Sequence, residues 1–137
     1  MIHFILASHG TLAKGMYESV KLIAGEIENI HIITAFVDNN DIKGMVCSEM
    51  DSIPAEDTVI AVTDILGGSV NNEFMNYLSR ERFYLIAGMN LPLLVQLSLT
   101  VGEGDDIDGA IKELVHSPEA APVYCNERSE QAEDEEF

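Results

Sequence analysis

The chain has 137 residues, of which 47% are apolar and 23% charged, a composition typical of one globular domain. Its 7 basic and 24 acidic residues give a net charge of −17, which disfavours binding to nucleic acid or to anionic lipid. Cys47 and Cys125 form neither a disulfide framework nor a metal-ligand spacing, so we expect free thiols in a reducing compartment. The sequence shows no secretory signal and no apolar run of the roughly 20 residues that a membrane helix needs.

The chain opens with an apolar run, Ile2 to Gly10 (IHFILASHG), that stops at a small residue, a histidine and a glycine. A short apolar run bounded by turn residues predicts a strand buried on both faces. Ser8, His9 and Gly10 then lie at the carboxyl end of this strand, where open α/β sheets bind their ligands. His9 is therefore the first candidate for a functional residue.

Strand and helix patterns alternate along the rest of the chain. β-branched and apolar runs predict further strands at Ile30–Val37, Thr58–Thr63 and Phe83–Ala87, with a short final strand at Val123–Cys125. Apolar residues at helical spacing predict helices at Leu12–Ala24, Asp41–Met50, Val70–Ser79, Leu91–Val101 and Asp106–His116. Thr11 is predicted to cap the first helix, and Gly25 to end it.

This alternation predicts right-handed βαβ crossovers and an α/β fold with a mostly parallel sheet. The sequence does not determine the strand order. If the sheet is doubly wound in the flavodoxin-like order 2-1-3-4, the first and third strands are neighbours and the switch point lies between them. His9 and Asp64, the residues at the ends of those strands, then meet in one crevice.

Asp64 and the loop after it complete the candidate site. A carboxylate beside a histidine accepts a hydrogen bond from one ring nitrogen and leaves the other with a free lone pair. Gly67, Gly68 and Ser69 stand before a predicted helix, where backbone amides and a hydroxyl suit a phosphoryl group. Two plainer interpretations stay open: Asp64 as an ordinary turn residue, and the glycines as a loop with a serine cap.

Three other histidines are expected to be structural. His3 and His31 lie in apolar strand patterns, and His116 ends a predicted helix. The sequence contains no P-loop, dinucleotide-binding or nucleophile-elbow motif, so we expect no nucleotide, cofactor or metal. A histidine, an orienting acid and an anion-binding loop together predict a phosphohistidine relay, in which His9 takes a phosphoryl group from one protein and gives it to another.

Three stretches resemble the IIA component of the mannose/fructose/sorbose class of the bacterial sugar phosphotransferase system (PTS). They are Ile5–Gly10 (ILASHG), Val62–Ser69 (VTDILGGS) and Ile86–Leu94 (IAGMNLPLL), and the resemblance extends to about Cys125. We therefore expect a PTS IIA domain over residues 1–126, followed by an acidic disordered tail over residues 127–137 that matches nothing in the family.

The resemblance implies a phosphotransferase that accepts a phosphoryl group on His9 from HPr and passes it to a IIB component, which serves a IIC/IID membrane permease. It implies that Asp64 orients His9 and that Ser69 and its loop amides contact the phosphoryl group. It also implies a homodimer in which Val123–Cys125 joins the partner's sheet. The expected location is the cytoplasm, with the membrane reached only through the permease complex.

The chain departs from the family at the rim of the site. Ile65 and Leu66 stand where the family often has Thr-Trp, and Val70 stands where it often has proline. These positions shape the surface that a partner meets, so the sugar and the IIB partner do not follow from the resemblance.

Three other functions stay open on the sequence. The nearest is a phosphohistidine subunit of a PTS-dependent dihydroxyacetone kinase, which has a similar strand followed by Ser-His. The second is a regulatory module in which phosphorylation of His9 is a signal. The third is a small flavodoxin-like binding domain in which His9 is only a loop residue.

Overall fold

Four parallel strands form the sheet in a computed structural model that describes residues 1–102 and 104–127. They are Ile2–His9 (β1), Ile30–Ala35 (β2), Thr58–Thr63 (β3) and Phe83–Ala87 (β4), in the order β2-β1-β3-β4. The predicted α/β fold and the order 2-1-3-4 are therefore confirmed. Residues 128–137, most of the predicted tail, lie outside the described residues.

Five α-helices join and cover the strands within the described residues. They are Leu12–Ala24 (α1), Ile42–Asp51 (α2), Ser69–Met75 (α3), Leu91–Thr100 (α4) and Ile107–Val115 (α5), followed by a 3₁₀ turn at Pro118–Ala120. Each predicted helix is present, and α3 ends four residues earlier than predicted. No helix of the described residues combines the length and apolar character that crossing a membrane requires.

The sheet is buried on both faces. Along β1, Ile5 and Ala7 belong to the core on the side of α2 and α3, whereas Phe4 and Leu6 belong to the core on the side of α1 and α4. Successive strand residues point to opposite faces, so an unbroken apolar run fills both cores at once. The apolar run explains why β1 could be predicted from composition. Its burial in both cores also fixes the register of β1, which places His9 at the rim.

The predicted strand Val123–Cys125 is wrong for this chain's own sheet. Val123 and Tyr124 have no regular secondary structure and are exposed, and Cys125 lies in a helical turn. The side-chain amide of Asn90 donates to the carbonyl of Ala120 at 2.8 Å, which holds the chain against the start of α4. Within the described residues the sheet consists of β1 to β4, so this segment pairs with none of its strands.

A chain of hydrogen bonds joins four segments at the amino end of the sheet. The amino group of Met1 and His3 Nε2 lie 3.1 and 2.9 Å from the two carboxylate oxygens of Asp57. His3 Nδ1 lies 3.0 Å from His31 Nε2, and His31 Nδ1 lies 2.9 Å from Glu49 Oε2. These partners agree with a structural role for both histidines. The hydrogen bond from His3, followed by that from Met1, holds the pKa of Asp57 below its ordinary value.

Replacing Asp57 is expected to make the free energy of unfolding less dependent on pH in the acidic range. Because folding lowers the pKa of this carboxyl, its contribution is complete above the ordinary value of 3.8 and is lost as the pH falls through the lower folded value. We expect Asp57→Asn to reduce the free energy of unfolding at neutral pH, and the deficit to narrow near about pH 2.5. Urea unfolding at both pH values measures this, with the exposed Glu18→Gln as control. A deficit that is the same at both pH values would contradict it.

Candidate active site

His9 is the last residue of β1, and the turn after it starts α1. Gly10 has a φ of +61°, in the left-handed region that favours glycine, so the chain leaves the sheet directly after the histidine. Thr11 occupies the cap position of α1 but makes no side-chain cap hydrogen bond, contrary to the prediction. Ser8 Oγ accepts a hydrogen bond from the backbone N–H of Ala13 at 2.8 Å instead. The turn therefore leaves the His9 side chain 42% exposed at the rim.

Asp64 follows β3 and forms hydrogen bonds with two nitrogens of His9. Its Oδ2 accepts the backbone N–H of His9 at 2.8 Å and lies 2.8 Å from His9 Nδ1. Its Oδ1 accepts the backbone N–H of Ile65 at 3.0 Å. The structure thus brings together the two residues that the assumed strand order placed in one crevice.

The charge of Asp64 determines which nitrogen of His9 carries the proton. Burial alone raises the pKa of Asp64, but the hydrogen bonds from the His9 backbone, the His9 ring and Ile65 outweigh it and hold this pKa below its ordinary value. An ionised carboxylate only accepts hydrogen bonds, so Nδ1 must be the donor. The neutral ring therefore has its proton on Nδ1 and a lone pair on Nε2.

Ser69, the first residue of α3, lies beside that lone pair. Its Oγ is 3.2 Å from His9 Nε2, a distance at which the hydroxyl donates to the bare nitrogen. Carboxylate, imidazole and hydroxyl thus form a line of two hydrogen bonds. This line leaves Nε2 oriented and next to a group that can turn towards an incoming oxygen.

Gly68 makes room for the histidine ring. A methyl group added there would lie 3.3 Å from His9 Cε1 and 3.4 Å from the carbonyl oxygen of Ile65. The amide of Gly68 donates to that same carbonyl at 3.3 Å, so it is not directed only at a ligand. Gly67, with a φ of +80°, supplies the turn that places Ser69 at the start of α3.

Phe36 contacts His9 and was not predicted as a site residue. The two ring centroids are 5.4 Å apart and the planes differ by 28°. The sequence pattern extended β2 to Val37, but the strand ends at Ala35 because Phe36 has a φ of +63°. The available signal was an aromatic residue near the end of the predicted second strand, the end that lies at the same rim as His9.

The surface around His9 is open and partly apolar. Ile65 and Leu66 are 60% and 77% exposed. A cavity of about 410 Å³ lies near the amino end of β1, lined in part by Ile2 and Phe4, and His9 is not among its lining residues. An exposed histidine on an open apolar rim suits contact with another macromolecule better than capture of an enclosed small molecule.

Comparison with known proteins gives a consistent family. A family model described as "PTS system fructose IIA component" matches residues 3–115. The chain is 26% identical over 133 residues to a PTS system fructose-specific EIIA component of Bacillus subtilis strain 168, covering 95% of this chain and 90% of that protein. It is 27% identical over 101 residues to a sorbose-specific EIIA component of Lacticaseibacillus casei, covering 72% of each.

Solved structures share the fold. One from Klebsiella pneumoniae, described as a candidate phosphoenolpyruvate-dependent sugar PTS permease, has a TM-score of 0.87 and 40% identity and covers 93% of both chains. The mannose/sorbose-specific IIA subunit of Enterococcus faecalis has a TM-score of 0.77 at 19% identity, with 88% of this chain and 92% of that one covered. The second similarity concerns the fold alone.

The hydrogen-bond line predicts the tautomer of His9. In its neutral form we expect the proton on Nδ1, because Asp64 accepts it, whereas Asp64→Ala should allow both tautomers. Long-range ¹H–¹⁵N spectra of the histidine rings distinguish these forms. Ser69→Ala is the control, since it leaves Asp64 in place and should keep the proton on Nδ1. A proton found on Nε2 in the unaltered protein would refute the arrangement.

Proposed function

We propose that this chain, which belongs to the mannose/fructose/sorbose class of PTS IIA components, relays a phosphoryl group through His9 from phospho-HPr to a IIB component. Family membership rests on the match over residues 3–115 and makes the chain part of a sugar PTS phosphoryl relay. We propose in addition that HPr is the donor, that a IIB component is the acceptor, and that His9, Asp64 and Ser69 carry out the transfer. It is supported above all by the Asp64–His9 hydrogen bond, which leaves Nε2 as an oriented nucleophile.

The reaction needs no proton to leave the histidine. The lone pair of Nε2 forms a bond to phosphorus while the bond from phosphorus to the donor's nitrogen breaks, and that nitrogen keeps the electron pair. The His9 ring then carries positive charge with its proton still on Nδ1. Asp64 lies 2.8 Å from that proton's nitrogen and offsets the charge, and the reverse steps pass the group on.

Ser69 and its loop are proposed to hold the phosphoryl oxygens. The hydroxyl that faces Nε2 is free to rotate and donate to an oxygen once the nitrogen is bonded to phosphorus. Gly67 and Gly68 set the loop at the start of α3, where backbone amides and the helix dipole favour an anion. Local donors of this kind are needed because the chain's net charge of −17 gives no general attraction for phosphate.

Ile65 and Leu66 are proposed to contact the partner proteins. They are exposed in the loop that follows Asp64, and they stand where the family often has Thr-Trp. Both HPr and the IIB component must bring their reacting groups close enough to Nε2 for the phosphoryl group to pass between them, so both must cover this rim. An apolar surface serves both in turn because it imposes no charge pattern on either partner.

A homodimer is part of the same proposal. Leu22, Leu99 and Tyr124 are 90%, 64% and 66% exposed, and α1 and α4, which carry the two leucines, pack against each other. A second copy of the chain would cover such side chains, and the exchange of Val123–Cys125 belongs to that assembly. Sedimentation equilibrium tests it, and a monomer at all concentrations would exclude it.

Replacing His9 is expected to abolish acceptance of the phosphoryl group. After incubation with phosphoenolpyruvate, enzyme I and HPr, the unaltered protein should gain the mass of one phosphoryl group, which brief acid treatment removes. His9→Ala should gain none and should still unfold in one cooperative transition, because the backbone N–H of residue 9 remains to donate to Asp64. Intact mass measures the first and urea unfolding the second.

His116→Ala provides the matched control, because His116 is also exposed but lies at the end of α5. It should accept the phosphoryl group like the unaltered protein. A His9→Ala protein that still gains an acid-labile phosphoryl group would move the site to another residue.

A further inference from the structure

Phe36 has a positive φ of +63°, a backbone conformation that is rare for a bulky aromatic residue. Among the described residues other than glycine, three have a positive φ: Asn29, Phe36 and Arg82. Asparagine tolerates this region through its short polar side chain, whereas a bulky aromatic residue does so rarely. An outlier of this kind calls for a reason in packing or in function.

Packing does not supply the reason. The Phe36 side chain is 41% exposed and belongs to neither core cluster of the sheet. Its loop is held by other groups: the Phe36 N–H donates to the carbonyl of Asn39 at 3.2 Å, and the Asp41 N–H donates to Asn39 Oδ1 at 2.7 Å. Asp41 in turn accepts the N–H of Gly44 at 3.0 Å at the start of α2. None of these bonds requires an aromatic side chain at position 36.

The ring does contact the reactive histidine. His9 pairs with Ala35 in the register of β1 and β2, so the next residue lies beside the His9 side chain. The positive φ of Phe36 ends the strand there, and its ring stacks on the imidazole at a centroid distance of 5.4 Å. One face of a ring that is otherwise open to solvent is thereby covered.

We propose that Phe36 is a positioning residue for His9, an inference that rests on the proposed relay. Its ring restricts rotation of the imidazole and stabilises the positive charge that the imidazole gains when Nε2 carries the phosphoryl group. An aromatic face within about 6 Å of a cation attracts it. Asp64 acts on the edge of the ring at Nδ1, and Phe36 acts on its face, so the two residues hold the imidazole from different directions.

The test measures the phosphoryl group on His9 without a docking partner. Phosphoramidate serves as a small-molecule donor, and intact mass follows the gain and then the spontaneous loss of the group. For Phe36→Asn we expect the ratio of the gain rate to the loss rate to fall about two- to five-fold, the range for an exposed cation–π contact. Urea unfolding should show no loss of stability, because asparagine tolerates a positive φ.

Two further variants separate the ring from its surroundings. Phe36→Tyr keeps the aromatic face, so its ratio of gain rate to loss rate should equal that of the unaltered protein. Val37→Asn is the matched control, since Val37 is 48% exposed in the same loop and has no part in the ring stack. It should leave the ratio unchanged. The same four proteins are then compared with phospho-HPr as the donor.

The outcomes distinguish the two proposals. An unaltered protein that gains no phosphoryl group from either donor would overturn the relay, and the role of Phe36 with it. An unaltered protein that is phosphorylated normally, with the same ratio in Phe36→Asn, would overturn only the role of Phe36. Equal losses in Phe36→Asn and Val37→Asn would also overturn it, because they would reflect the loop rather than the ring.

Discussion

The hydrogen bond between Asp64 and His9 Nδ1 is the interaction on which the account of this protein depends. It is 2.8 Å long, and its carboxylate is only 7% exposed, so the acceptor is held and partly shielded from water. The same oxygen accepts the His9 backbone N–H, which ties the end of β1 to the end of β3. One carboxylate thus fixes both the position of the histidine and the nitrogen that is free to react.

The fold makes this contact possible through strand order. Residues 55 apart in sequence meet because β1 and β3 are neighbours and both end at the same rim. The unbroken apolar run of β1 anchors the strand in two cores, and His9, the proposed reactive residue, follows this run at the rim. Rigid strands below and short turns above leave little freedom to the side chains of His9 and Asp64, which is what an oriented nucleophile requires.

Much of this could be predicted from the sequence, because apolar periodicity and turn residues report on local structure. The first and third strands were predicted within a residue, and the pairing of His9 with Asp64 followed once a strand order was assumed. The strand order itself depends on packing between distant segments. The Ser8 hydroxyl took the place of Thr11 because the tight turn at Gly10 brought it to the helix amides.

The missed features have a common cause. Phe36 looked like part of a strand because its neighbours are β-branched, and only its positive φ removes it from the sheet and turns it onto His9. Val123–Cys125 looked like a strand by composition, but within the described residues it pairs with none of this chain's four strands. Both depend on tertiary contacts that a single sequence does not display.

Identifying the phosphorylated nitrogen is the most direct test of whether Asp64 orients His9 for the relay. Heteronuclear ¹⁵N–³¹P spectra of the phosphorylated, ¹⁵N-labelled protein identify the ring nitrogen bonded to phosphorus. If Asp64 orients His9 as proposed, phosphorus lies on Nε2 of His9 and Asp64 retains the proton on Nδ1. Phosphorus on Nδ1, or on a residue other than His9, would contradict it.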